Sequence, residues 1–586
     1  MTSLRLLLSN RERTWAGLLA AGVIGVVAAC SSSGTMSGAI SGATGSGTGG
    51  ATGGPSSSAA GSTSSGDSSS ATGNPPPVDP PPLVFTDVSG KAGLPRASKD
   101  CMAFRDFDGD GAPDLLLTPL SEDEKSASLA LYVNRRDGTF EPVAIPNDVK
   151  KYRACSVADY DGDGRLDIAI LDGADGRVVL LHNDASSPPA FTASVAKPSV
   201  DSPDTERWLV NFVDLDADGW PDLYVTTSSV EMTNSADVAS CEVTADDILC
   251  PLKTDPPAGR PLIFHNESGQ GFTASTMSVP DPHGAFPWGL SAIDWDEDGA
   301  VDLFLSYDFF RNQLLHNVDG QLQDLLPGLG ADVYNNGMGA AFADYDHDGH
   351  WDFMVGDVGP NQVWMSTPSG VANRAKEMGV LDATWTAVGW GPIAEDFNND
   401  GFDDVFIGNQ MITTTAAELA AITAVGDGSP LDSVDYAFVN VRGERFIKQD
   451  VPFPQAHNRL HVRNAVADYD ADGRVDVLEG PIPLRLLRNE TKLDQGSSHS
   501  LDVVVRGAVS PLNAHGAVVS IEVDGATGSR RAVESQDGRA SSTNVLHFGL
   551  GSATKVSAIH VLWPGGLTQT LPGPIAAGQL LEIKHP

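Results

Sequence analysis

The sequence predicts an all-β chain: a seven-bladed β-propeller with calcium-binding loops, followed by a small β-sandwich-like domain. A nine-residue pattern, Asp-x-Asp/Asn-x-Asp-Gly-x-x-Asp, occurs seven times, beginning at Asp106, Asp159, Asp214, Asp294, Asp344, Asp396 and Asp468. The copies return every 50 to 80 residues, as repeated supersecondary units do. Each is followed by a short apolar run, and residues 494–586 lack the pattern while still alternating as strands.

Oxygen donors stand at positions one, three, five and nine of every copy. They are Asp106, Asp108, Asp110 and Asp114; Asp159, Asp161, Asp163 and Asp167; Asp214, Asp216, Asp218 and Asp222; and Asp294, Asp296, Asp298 and Asp302. The last three copies supply Asp344, Asp346, Asp348 and Asp352; Asp396, Asn398, Asp400 and Asp404; and Asp468, Asp470, Asp472 and Asp476. Hard oxygen ligands at this spacing, with glycine at position six for a sharp turn, suit calcium, up to seven ions in all. Like charges about 4 Å apart each cost roughly 1 kcal/mol even in bulk water, so the clusters call for a cation. Asn398 lowers the ligand charge of the sixth site.

These are not EF-hands. Position twelve, which would be a bidentate glutamate, is apolar in six copies, from Leu117 to Ile407. The seventh has Glu479, but Gly480 and Pro481 forbid an exiting helix, so Glu479 is expected at a strand end. Position two is large and apolar (Phe107, Tyr160, Leu215, Trp295, Tyr345, Phe397, Tyr469) and by strand alternation points away from the carboxylates, between neighbouring sheets. A third apolar run ends in asparagine at Asn134, Asn183, Asn266, Asn317, Asn440 and Asn489. A turn such as Asp137-Gly138 and a fourth strand follow where spacing allows, giving four strands per blade.

The formal charge of −40, from 77 acidic and 37 basic residues, argues against nucleic acid or anionic lipid head groups as partners. Residues 1–30 read as a targeting signal: Arg5, Arg11 and Arg13 precede an apolar segment too short to span a bilayer comfortably. Its end, Val27-Ala28-Ala29-Cys30, resembles the lipobox of bacterial lipoproteins, implying lipid attachment at Cys30 and a cell-envelope location, in the outer membrane or at the cell surface. The alternative is an ordinary secretory signal. Residues 31–82, rich in Ser, Gly, Thr, Ala and Pro, form a flexible tether reaching roughly 40 Å as a Gly/Ser coil.

Four further cysteines suit disulfides in an oxidising envelope. Cys241 and Cys250 share one inserted loop, and Cys101 and Cys155 lie just before the first Asp of adjacent repeats, so each set is expected to pair; the alternative is buried free thiols. Insertions at 232–259 and 411–435, the second with an Ala-rich stretch suited to a short helix, are either surface decoration or recognition elements.

The repeats over residues 83–493 resemble the FG-GAP and VCBS families, whose blades bind calcium as in integrin α-subunits. Met338-Gly339-Ala340-Ala341-Phe342-Ala343-Asp344 and Phe85-Thr86-Asp87-Val88-Ser89 are similar to the cartilage acidic protein family. The resemblance implies that the four numbered side chains of each loop, with a backbone carbonyl at position seven, are the ligands. Within 494–586, Ala514-His515-Gly516, Leu546-His547-Phe548-Gly549 and Leu562-Trp563-Pro564-Gly565-Gly566 resemble the ASPIC/UnbV domain, which implies no established activity.

No His-Glu-x-x-His, Gly-x-Ser-x-Gly, phosphate loop or dinucleotide fingerprint occurs, and no catalytic residue set is expected. His182, His265 and His316, each just before the run-ending Asn, read as a blade-edge feature rather than as metal or acid–base groups. Gly289, Gly337, Gly339, Gly389 and Gly391 fit close backbone approach at the axis; the alternative is a ligand site there built with Trp288 and Trp390. The expected role is a tethered adhesion module binding a protein or polysaccharide, with a polysaccharide-acting enzyme as the alternative. The sequence leaves the oligomeric state open.

Overall fold

The computed structural model describes residues 79–586 except 120–127, 187, 197–205, 229–241, 244–247, 250–258, 280–284, 319, 332–333, 358, 385–386, 412–433, 453–459, 494–497, 511, 513 and 534–539. Cys30, the tether up to residue 78, Cys241, Cys250 and the Ala-rich insertion therefore lie outside the described residues.

Seven four-stranded antiparallel sheets follow one another along the chain. Their innermost strands are Ser98–Arg105, Tyr152–Ala158, Glu206–Val213, Phe286–Ile293, Ala340–Ala343, Ala387–Glu395 and Leu460–Ala467. Each packs against the next and the last against the first, which closes a β-propeller. The seventh sheet takes its outermost strand from the other end of the chain: Phe85–Asp87 pairs with Arg485–Asn489, Phe85 opposite Asn489. The seventh repeat has no fourth run of its own after Asn489, and the amino-terminal segment fills that edge.

The apolar position-two residues lie where the alternation put them. Phe107 packs in a core shared by the first and second sheets, Leu215 in one shared by the third and fourth, and Tyr469 in one shared by the seventh and first. At the axis the strands crowd: a Cβ on Gly289 would sit 2.8 Å from the Cα of Gly339, so close backbone approach accounts for this glycine. Cys101 and Cys155 are joined by a disulfide between the first two innermost strands.

Glu479 corrects the sequence reading. It lies in the middle of Asp476–Ile482, and the strand runs on through Gly480 and Pro481 past an irregularity in its pairing with Leu460–Ala467. Arg485 of the adjoining strand ion-pairs with both Glu479 and Asp435, and all three are buried, so the charge is neutralised inside the sheet.

The carboxy-terminal strands form two sheets around Phe548, Trp563, Val519 and Ile559. One sheet orders Leu546–Gly551, His499–Arg506 and Leu580–Lys584; the other orders Ala526–Ala532, Val518–Val523, Lys555–Leu562 and Thr568–Ala576. This sandwich lies over the propeller face that carries the acidic loops. Ser510 Oγ donates to the Asp159 carbonyl at 2.7 Å, Gly565 N to the Gly299 carbonyl at 2.7 Å and Ser529 Oγ to the Gly401 carbonyl at 2.8 Å. Ala540–Ser541 adds a short parallel strand beside Met102 and Ala103, reaching the axis.

Candidate metal centres

Each acidic loop joins the innermost strand of a sheet to the second. Position-one aspartate is fixed by the turn it begins: its Oδ2 accepts the N–H of the position-six glycine in all seven loops, from 2.7 Å at Gly401 to 3.1 Å at Gly164. Those glycines have φ between +81° and +98°, which L side chains rarely adopt. Position five accepts the N–H of position seven, as in Ala112 to Asp110 at 2.8 Å.

Position nine is held from both ends. Asp114 Oδ2 accepts the Phe107 N–H at 2.9 Å, and Asp114 Oδ1 accepts the Asn134 N–H at 2.9 Å. The run-ending asparagine has a second task that the sequence reading missed: its side-chain amide donates to the position-two carbonyl of the preceding sheet's loop. Asn266 reaches Tyr160 at 2.9 Å, Asn317 reaches Leu215 at 2.7 Å, Asn440 reaches Tyr345 at 2.9 Å and Asn489 reaches Phe397 at 2.8 Å. The fifth sheet has Ser366 at this place, and there Trp351 Nε1 bridges instead to the Asp294 carbonyl at 3.1 Å. The recurrence of the asparagine was the available signal; its partner is 92 to 335 residues away and leaves no local pattern.

The carboxylates converge. Asp106, Asp108 and Asp114 each offer an oxygen within 4.8 Å of the others, as do Asp159, Asp161 and Asp163. Burial is the largest cause pushing their acidities away from the ordinary carboxylate range: Asp114, Asp294 and Asp344 rise to about 7, and Asp167, Asp214 and Asp352 to about 8, while backbone N–H donors pull the other way. Buried Asp344 Oδ1 and Asp404 Oδ2 have no hydrogen-bond partner. Converging, mutually repelling carboxylates, buried at position nine and half-buried or exposed at position three, with spare lone pairs, fit a hard divalent cation.

His182, His265 and His316 lie inside this geometry rather than only beside it. His182 Nδ1 is 3.2 Å from Asp167 Oδ1, His265 Nδ1 3.1 Å from Asp216 Oδ2 and His316 Nδ1 3.1 Å from Asp302 Oδ1. The equivalent residue of the seventh sheet is Arg488, whose Nε lies 2.7 Å from Asp470 Oδ2. The sixth loop is buried along its first four positions, Asp396, Phe397, Asn398 and Asn399, and Gly551 N of the sandwich donates to the Asn399 carbonyl at 2.9 Å.

Trp288 and Trp390 meet near the axis edge-to-face, with ring centroids 5.3 Å apart, and Trp208 packs on Trp288 in the same way at 5.4 Å. Trp390 is buried, at 2% exposure, whereas Trp288 is half-buried.

Comparison with known proteins gives a consistent pattern. A model of the FG-GAP-like repeat matches residues 106–170 and 159–225, and one described as ASPIC and UnbV matches residues 507–586. Cartilage acidic protein 1 of Homo sapiens is 26% identical over 312 residues, which span 51% of this chain and 44% of that protein, so the chain matches less than half of this relative's length. Among solved structures, BP39L lectin from Burkholderia pseudomallei has 10% identity and a TM-score of 0.40, covering 68% of this chain and 96% of its own. The Dos1 propeller has 10% identity and a TM-score of 0.37, covering 71% of this chain and 96% of its own.

Proposed function

From a chain that is cartilage acidic protein-like, with FG-GAP-like repeats ahead of an ASPIC and UnbV domain, we propose a calcium-stabilised binding protein tethered to the cell envelope through Cys30. One observation carries the reading: seven loops around one ring repeat the same bond from the position-six glycine N–H to the position-one aspartate, and in the first two loops carboxylate oxygens from three loop positions lie within 4.8 Å of one another. Calcium would supply charge neutralisation and coordination there. The chain's own residues hold the cradle in register, and the bridges from Asn134, Asn266, Asn317, Asn440 and Asn489, with that of Trp351 in the fifth sheet, connect cradles of adjacent sheets.

This connection makes the loops a shared structural element rather than separate ornaments. A cation bound by the native state alone contributes about 2.7 kcal/mol per site at a hundredfold excess over its dissociation constant, so several sites would dominate stability. The role left for such a scaffold is presentation of a rigid surface to a protein or polysaccharide partner, without catalysis. The envelope location rests on the signal and tether.

Elemental analysis of the purified protein and its melting temperature with calcium and with chelator test the reading. About seven calcium ions per chain and a large loss of stability in chelator are expected; little metal and an unchanged melt would overturn it. Incubation with envelope polysaccharides separates the roles, since reversible retention without product supports binding and depolymerisation supports an enzyme.

A further inference from the structure

The second, third and fourth sheets differ from the rest in one residue of the third strand. Just before the run-ending position they carry His182, His265 and His316, where the first, fifth, sixth and seventh sheets carry Val133, Met365, Val439 and Arg488. Each histidine sits on the strand that anchors position nine. The next backbone N–H, from Asn183, Asn266 or Asn317, donates to Asp167, Asp222 or Asp302 at 2.7–2.8 Å.

The imidazole then faces positions three and nine together. His182 Nδ1 lies 3.3 Å from Asp161 Oδ2 and 3.2 Å from Asp167 Oδ1. His265 Nδ1 lies 3.1 Å from Asp216 Oδ2 and 3.3 Å from Asp222 Oδ1. His316 turns one nitrogen to each carboxylate, Nδ1 3.1 Å from Asp302 Oδ1 and Nε2 3.6 Å from Asp296 Oδ2. Each of the three triads offers one atom per residue within 4.8 Å of the other two.

A ring nitrogen carries one proton at most, and that proton serves one of the two carboxylate oxygens. A single cation among the three atoms serves them all. Two donors bound to one zinc ion at about 2.0–2.2 Å stand roughly 3.0–3.5 Å apart, and the nitrogen–oxygen spacings of the second and third loops fall in that range. Imidazole nitrogen suits zinc-class ions, whereas calcium takes oxygen, and the first, fifth and sixth loops have an apolar side chain at this place. The third loop also has an entry path, since Asp216 and His265 line a groove of about 650 Å³.

We propose that His182, His265 and His316 each complete, with positions three and nine of their loop, a site for a zinc-class divalent cation. Three adjacent loops then prefer zinc where the other four prefer calcium. This assignment rests on the reading that the acidic loops hold cations, and adds a nitrogen ligand and a second metal to three of them. Without zinc, calcium fills all seven.

The test uses the full chain, equilibrated with zinc and about a hundredfold excess of calcium. Elemental analysis should find about three zinc and four calcium ions per chain, and anomalous diffraction at the zinc edge should place zinc beside His182, His265 and His316. His265→Gln removes the nitrogen but no carboxylate, so zinc should fall by one ion while calcium rises by one. Calcium at all seven loops without zinc, zinc spread evenly over the seven, or zinc only at histidines outside the loops overturns the proposal and leaves the cation reading standing. Neither metal at the loops overturns both. The native-protein measurements decide it even if His265→Gln does not fold.

Discussion

The side-chain amide of Asn134 donates to the backbone carbonyl of Tyr469 across 2.8 Å, bonding the first sheet to the seventh at the level of the acidic loops. Asn134 N is at the same time a donor to Asp114, so the bond that closes the ring also fixes a proposed ligand. Asn134 is 4% exposed, and its loss leaves the Tyr469 carbonyl unsatisfied. Asn134→Ala is therefore expected to cost about 1–3 kcal/mol in urea unfolding. A change below about 0.5 kcal/mol would mean that water replaces the bridge and that closure rests on the strand Phe85–Asp87 and on the apolar core shared by the seventh and first sheets.

Backbone strain at position four is a second place to look. Ala217 and Ala471 hold φ of 57° and 56°, where the first two loops use glycine at φ of 74° and 73°. A side chain in the left-handed region costs roughly 1–2 kcal/mol, offset in part by the extra freedom glycine has when unfolded. Ala471→Gly should leave the fold intact and raise stability by about 0.5–1 kcal/mol. A loss of stability in thermal unfolding would show that the alanine methyl makes a contact worth more than the strain.

In the seventh loop Arg488 takes a place that a cation would otherwise neutralise, with Nε 2.7 Å from Asp470 and Nη2 3.1 Å from Asp472. Arg474 also pairs with Asp472. Arg488→Leu removes a competitor, so calcium titration should find one site tightened by about tenfold, equivalent to about 1.4 kcal/mol. Unchanged affinity would mean that the arginine swings aside on binding at no cost.

The first two sheets are stapled by Cys101–Cys155, which spans 54 residues near the axis, both cysteines being buried. Replacing both with alanine should cost about 2–5 kcal/mol. Thiol titration of the denatured, unreduced native protein should find neither cysteine free, and two reactive thiols from this pair would contradict the bond.

What could be read in the sequence was what lies close along it. The loops were legible because Asp106 to Asp114 spans nine residues and recurs, and the packing of Phe107 or Tyr469 followed from alternation alone. Cys101 with Cys155 was legible because equivalent positions of adjacent repeats are neighbours. Partners far apart were not: Phe85 with Asn489, Asn134 with Tyr469 and Ser510 with Asp159 are each set by the closed ring or by the sandwich docking on it. Glu479 was misplaced for the same reason, since Asp435 and Arg485, which neutralise it, come together only in the folded sheet. His182 was read as an edge feature because nothing local shows that a third-strand side chain returns to the loop between the first and second.

Acidity provides the last prediction. Without metal, burial raises Asp159 to about 6, Asp114 to about 7 and Asp214 to about 8, all above the roughly 3.9 of an unfolded aspartate. A group whose folded value is raised favours folding fully below its unfolded value, and that contribution is lost as pH rises through the folded value. In chelator the melting temperature should therefore fall steadily from pH 5 to pH 8.5, as the loops ionise with nothing to hold them. With saturating calcium the carboxylates are held ionised, protons compete with the metal, and the dependence should reverse, stability falling as pH drops below about 6. Parallel profiles with and without calcium would show that the loops do not hold the cation.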